Sequence, residues 1–210
     1  MPQRHAPATG RNRSFILETL KQVLPAEGTV LEVASGTGEH AVYCAPALQG
    51  RRWLPSDISD ENLASIDAWR SEFPSDNLLA PIKLDASASI WPVEQTAPTA
   101  PICAIVSINM IHITPWACCE GLFAAAGRIL QANPTTGEPG VLFLYGPFMR
   151  DGRHTAPSNA QFDRQLKERD SRWGIRSVED IVALGTHHGL QCTALIDMPA
   201  NNLSVVFKAQ

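Results

Sequence analysis

No run of apolar residues in this chain approaches the roughly 20 needed to cross a bilayer, so no membrane-spanning helix is expected. Positive charge is also in short supply. Seventeen Lys and Arg stand against 21 Asp and Glu, a net charge of −4, which offers no electrostatic footprint to a nucleic-acid backbone. A substrate tRNA or a small anionic ligand is left open. The five cysteines, at 44, 103, 118, 119 and 192, are odd in number and contain no Cys-x-x-Cys pair. They read as reduced thiols, with neither a disulfide framework nor a metal site. Met1 to Gly10 lacks the apolar centre of a secretion signal. Together these absences point to a cytoplasmic protein.

What the chain does have is an ordinary hydrophobic share, 44% of 210 residues, enough for one domain over 1–210. Met1 to Gly10 is rich in Pro, Ala and polar residues and is expected to be mobile. Ile16, Leu20, Val23 and Leu24 recur at helical spacing until Pro25. Strands are expected at Thr29 to Val33, Arg51 to Pro55, Ala80 to Leu84, Ile102 to Ile108 and Val141 to Tyr145. Helices are expected between them, from Gly38 to Leu48, from Ser59 or Asp60 to Phe73, and from Pro115 to Leu130. The nearly continuous apolar run Ile102 to Ile108 marks a strand covered on both faces. Gly146 to Arg176 is the least regular stretch and reads as an insertion on the acceptor side. A last helix opens at the Ser177-Val178-Glu179-Asp180 box and ends at Gly189. Two closing strands, Leu190 to Ile196 and Leu203 to Lys208, are too close for a crossover helix, so they pair antiparallel. The expected fold is therefore α/β and Rossmann-like: a seven-stranded, mostly parallel sheet with one antiparallel strand and helices on both faces.

In such a sheet a ligand sits outside the carboxyl ends of the strands. Polar residues collect there: Glu32, Asp57, Asp85, Asn109 with His112, and Tyr145. Gly36 and Gly38 end the first strand in a turn where bare backbone can approach a ligand. Asp57 follows the first glycine by 57 − 36 = 21 residues, the position of an acid that grips ribose hydroxyls. Asp85 suits an adenine amine. Gly36, Gly38 and Ala41 also satisfy the dinucleotide pattern, so an NAD(P)-dependent oxidoreductase is a rival, as is a non-catalytic nucleoside-binding module. Against a dinucleotide stand Glu32, placed where it would repel a pyrophosphate, the extra acid Asp85, and the reversed strand. A cationic nucleoside without phosphate fits all three.

Several marks together carry a family resemblance. They are Val30-Leu31-Glu32-Val33-Ala34-Ser35-Gly36-Thr37-Gly38, Pro55-Ser56-Asp57, Ile108-Asn109-Met110-Ile111-His112, Gly121-Leu122-Phe123, Tyr145-Gly146-Pro147-Phe148 and Asp197-Met198-Pro199-Ala200-Asn201-Asn202. The chain resembles the class I S-adenosylmethionine-dependent methyltransferases, and within them the methyltransferase-like protein 26 type. That resemblance implies S-adenosylmethionine as cofactor. It implies that Glu32, Ala34, Ser35, Gly36 and Gly38 cradle its methionine part and that Asp57, with Ile58 beside it, takes the ribose. Asp85 and Ala86 would meet adenine, Asn109 and Met110 would floor the sulfonium, and Arg11 and Asn12 would close over the cofactor. Superfamily members commonly carry glycine where this chain has Ala34; the methyl fits if φ stays negative. The Asn/Asp-Pro-Pro-Tyr/Phe signature of amino-group methylases is missing. The acceptor, a small molecule or a protein, is not specified. His112 is a candidate general base, and Tyr145, Asn201 and Asn202 are further candidates near the reacting atoms.

Overall fold

The computed structural model describes residues 3–130, 132 and 137–210. Helix α1 (Pro7–Val23) leads into β1 (Gly28–Val33), α2 (Glu39–Cys44), β2 (Arg51–Asp57) and α3 (Asp60–Glu72). Then come β3 (Ile82–Lys83), α4 (Pro92–Gln95), β4 (Ile102–Ile108), α5 (Trp116–Ile129) and β5 (Val141–Gly146). The later elements are β6 (Phe148–Arg150), β7 (Arg153–His154), α6 (Pro157–Arg169), β8 (Arg176–Ser177), α7 (Val178–His187), β9 (Leu190–Met198) and β10 (Asn202–Ala209).

The main sheet runs β3-β2-β1-β4-β5-β10-β9. Its registers are parallel from β3 through β5, and β10 is antiparallel to both neighbours. One reversed strand therefore lies one place in from the edge, as the short final connection requires. One face packs on α1 and α2 through Ile16, Leu20, Val30, Ala41, Cys44, Trp53, Val106 and Phe143. The other packs on α5 and α7 through Leu31, Ile105, Leu122, Phe123, Leu142, Ile181 and Phe207. Gly121 is explained by this second layer. A Cβ there would lie 2.1 Å from the Ala86 carbonyl oxygen, so only glycine lets α5 approach the loop after β3.

Three expectations change. The helix opens at Pro7, not after Gly10, because proline suits a first helical turn. Residues 3–6 are tied down as well: Arg4 N–H donates to Ser65 Oγ at 2.9 Å and Ala6 N–H to Glu39 Oε2 at 2.6 Å. Strand β3 is two residues long instead of five. Trp53 N–H points toward this edge, to Asn77 O, so the same-parity Pro55 offers no donor there to extend the pairing. The 146–176 stretch, read as irregular, carries a second sheet, β7-β6-β8, and a 13-residue helix. Its strands are two or three residues long, too short for periodicity to register.

Candidate functional site

The strand order reverses between β1 and β4, the place where an open α/β sheet holds a ligand beyond its carboxyl ends. After β1 the chain turns through Ala34 (φ 58°), Gly36 (φ 58°) and Gly38 (φ 93°). Ala34 thus departs from the expected negative φ. The turn is locked across to β2, where Ser35 N–H donates to Ser56 O and Ser56 N–H to Ser35 Oγ. Those bonds impose a left-handed residue at 34 and hold the strain of about 1–2 kcal/mol that a Cβ brings. At Gly36 a Cβ would meet nothing within 4 Å, so the loop faces open space there.

The loop's amides decide what it can hold. Ser35 N–H is taken by Ser56 O, Gly36 N–H by Asp57 Oδ2 at 2.9 Å, and Gly38 N–H by Ser35 O. A phosphate cradle needs those donors free. Asp57 is 4% exposed, and its other oxygen accepts Ser59 N–H at 2.9 Å. Each carboxylate oxygen keeps a further lone pair for hydroxyl donors. Beside it Ile58 is 57% exposed, and Ile90 and Ile113 stand exposed on the loops after β3 and β4.

Glu32 lies elsewhere than the repulsion argument put it. It is 1% exposed, on the α1/α2 face, where Trp53 Nε1–H donates to Oε2 at 3.0 Å. Burial raises its pKa to about 7. It sits in the layer beneath the loop, and the acid that bonds the loop itself is Asp57. Asp85 is exposed, and its Oδ1 accepts the Ser87 amide and hydroxyl. Ala86 is buried under the Gly121 contact. Asp57 thus closes β2 and Asp85 follows β3 by two residues, whereas the Glu32 side chain is enclosed in the α1/α2 layer.

Asn12 of α1 is buried against this end of the sheet. Its Oδ1 is 3.0 Å from His40 Nε2, and its side chain stands beside the Tyr145 hydroxyl. Burial pushes His40 down to about 4 and Tyr145 above its ordinary value. Tyr145 is thereby a neutral link between α1 and β5. Arg11, next to Asn12, is exposed.

Asn109 (φ 63°) turns the chain after β4, its N–H held by Tyr145 O at 2.7 Å, and Met110 is buried beneath. His112 does not open onto an acceptor. It is fully buried, its ring set edge-on to Phe148. Burial, then the Arg176 guanidinium, push its pKa down to about 3. Its Nδ1 accepts Arg176 N–H at 3.4 Å, and its Nε2 faces Gly146, where a Cβ would lie 2.5 Å away. The ring is thus enclosed and held neutral, with Nε2 lacking a hydrogen-bond partner among the described residues. Asn201 (φ 58°) and Asn202 serve the turn before β10: Asn202 Nδ2 donates to Pro199 O and Ala200 O.

Arg176 escaped the sequence reading, and Asn159 lay in the stretch read as an insertion on the acceptor side. Arg176 donates to Ile111 O at 2.9 Å, Thr114 O at 2.7 Å and Arg172 O at 3.0 Å, clamping the loop after β4. Asn159 of α6 donates to Thr155 Oγ1 and to Asn201 O. Both act over long sequence separations with no local motif to announce them.

Residues 3–209 match the family described as protein of unknown function (DUF938). The chain belongs to that family. Among solved structures it is similar to CalO1, a methyltransferase in calicheamicin biosynthesis, in its SAH-bound form. There the TM-score is 0.69 at 16% identity, over 94% of this chain and 54% of that one. The mitomycin 7-O-methyltransferase MmcR gives 0.76 at 12%, over 97% and 54%. An O-methyltransferase family protein from Burkholderia thailandensis gives 0.76 at 11%, over 97% and 57%. The chain spans little more than half the length of these proteins. At such identities the likeness establishes the fold, which is the Rossmann-like fold of the class I methyltransferases.

Proposed function

We propose that this DUF938 family member transfers a methyl group from S-adenosylmethionine to an acceptor not yet identified. One observation carries the reading. The amides of Ser35, Gly36 and Gly38 are already taken by protein acceptors, and Asp57 fills the position a pyrophosphate would need. The loop therefore suits a nucleoside without phosphate and disfavours the NAD(P) reading. The CalO1 structure, similar in fold, is described as SAH-bound. The finer assignment to the methyltransferase-like protein 26 type is part of the same proposal.

On this reading Ala34, Ser35, Gly36 and Gly38 shape the cradle and Asp57 accepts from the ribose. Ile58 covers the adenine, with Asp85 and Ala86 at its edge. Asn109 and Met110 form the floor, Asn12 holds the wall through Tyr145, and exposed Arg11 meets the carboxylate end. Glu32 supports the loop from below. The cofactor, when bound, supplies a methyl carried on a sulfonium. The chain's own contribution is alignment, which can be worth roughly 7 kcal/mol or more. With His112 enclosed and neutral, no side chain at the floor acts as a strong base. The acceptor is then one that arrives unprotonated or loses its proton to water.

Calorimetry with S-adenosylhomocysteine and with NADH tests the reading. S-adenosylhomocysteine is expected to bind and NADH not to. The reverse result ends the proposal.

A further inference from the structure

A cavity of about 300 Å³ opens on the same rim, beyond β5. It is walled by Arg150 and Thr155 from the insertion and by Asp197, Asn201 and Leu203 from the last hairpin. Leu203 pairs with Gly146, and a Cβ on Gly146 would lie 3.2 Å from Asn109 Oδ1. The cavity is thus two strand spacings, about 10 Å, from the floor assigned above.

Two observations mark it as a built site. The five non-glycine residues at positive φ among the described residues are Ala34, Asn109, Asp151, Ala200 and Asn201. The first two sit at the cofactor cradle. The other three belong to the two turns that flank this cavity, and left-handed strain of this kind persists where the surroundings enforce a required shape. The enforcement is visible: buried Asn159 holds Thr155 Oγ1 at 3.0 Å and Asn201 O at 2.9 Å, fixing opposite walls from one side chain.

The wall's charges specify the ligand. Arg150 Nη2 donates to Asp197 Oδ1 at 3.1 Å, one bond out of the five N–H donors of a guanidinium. The Asp197 side chain is 83% exposed, and among the described residues no donor reaches its second oxygen. Glu179, the other acid in the field of Arg150, is engaged by Ser177 Oγ and Asp151 N–H. One positive and one negative group thus stand side by side with bonding capacity left over. A net anion meets Asp197 and a net cation meets Arg150, while a ligand with both charges a few ångströms apart complements both.

We propose that this cavity binds a small zwitterion, a molecule carrying an ammonium and a carboxylate on neighbouring atoms. That the zwitterion is the methyl acceptor rests on the methyl-transfer reading; the binding itself does not.

The test titrates nitrogen-15-labelled protein with phenylalanine, phenethylamine and 3-phenylpropionate, which share a phenyl group and differ in their charges. Phenylalanine is expected to shift the amides of Arg150, Thr155 and Asn201, with a Kd at least tenfold below either analogue. Arg150→Gln should bring phenylalanine down to the level of phenethylamine, and Asp197→Asn down to that of 3-phenylpropionate. Equal binding by either single-charge analogue, or no phenylalanine shift at these amides, overturns the proposal. S-adenosylhomocysteine, titrated separately, reports on the Ser35 and Gly36 amides. Its failure to bind while phenylalanine binds would sink the methyl-transfer reading and leave this one standing.

Discussion

At the β1–β2 end of the carboxyl rim, the bonds that shape the site join residues 21 to 24 positions apart: Gly36 to Asp57, Trp53 to Glu32, Ser56 to Glu32. At the β5–β10 end they span much more chain: 42 positions from Asn159 to Asn201, 47 from Arg150 to Asp197, 65 from Arg176 to Ile111. The first end is one βαβ unit folded on itself, so spacing along the chain predicts its geometry. The second is assembled from an insertion and a terminal hairpin that meet only after the sheet has formed. Their chemistry differs accordingly. The first end ties neighbouring strand ends through a buried Trp, Ser and two acids, and the second ties exposed and half-buried side chains to distant loops.

The comparison breaks most sharply at the contact between layers. Gly121→Ala puts a Cβ 2.1 Å from Ala86 O and is expected to cost about 3 kcal/mol in urea unfolding, with weaker S-adenosylhomocysteine binding as the loop shifts. An unchanged midpoint would show that α5 can slide. Arg176→Ala removes three bonds to carbonyls and should cost roughly 2–3 kcal/mol. The loss of methyl transfer should exceed the loss of S-adenosylhomocysteine affinity, because the clamp ties the loop after β4 to the insertion on the acceptor side. Equal losses would merge the two ends into one unit. Asp57→Ala should do the opposite, weakening S-adenosylhomocysteine by about 2 kcal/mol in calorimetry and leaving the far cavity's phenylalanine affinity intact.

A pH measurement probes the buried layer beneath the first end. Glu32 has a folded pKa of about 7 against 4.5 unfolded, so between those values the folded state binds the extra proton. Its contribution to stability is therefore present below pH 4.5 and lost as pH rises toward 7. Glu32→Gln, which can still accept from Trp53, should gain on the wild type across that window by on the order of 2 kcal/mol. A difference that does not change with pH would mean Glu32 titrates normally. Smallest is Ala34→Gly. Relief of left-handed strain outweighs the extra unfolded-state entropy of glycine, for a net gain of about 0.5 kcal/mol in thermal unfolding.

The alternation of apolar runs with helical spacing was enough to place β1, β4, β5, β9 and β10 and to require one reversed strand. Gly36, Gly38 and Asp57 were legible because a strand, a tight turn and an acid one βα unit later are bound by local geometry. Ala34 misled because its dihedral is dictated by bonds to Ser35 and Ser56 that no local pattern displays. His112 misled because its position after β4 is readable, whereas its burial against Phe148 and Arg176 is not.

Chain order alone thus determined the layered α/β sheet and the glycine turn that meets Asp57 between β1 and β2, since both follow from interactions within one or two consecutive elements. Only the tertiary structure decided the protonation of Glu32, the enclosure of His112, and the pairing of Arg150 with Asp197. Desolvation and long-range contacts depend on which surfaces meet, and distance along the chain does not encode that.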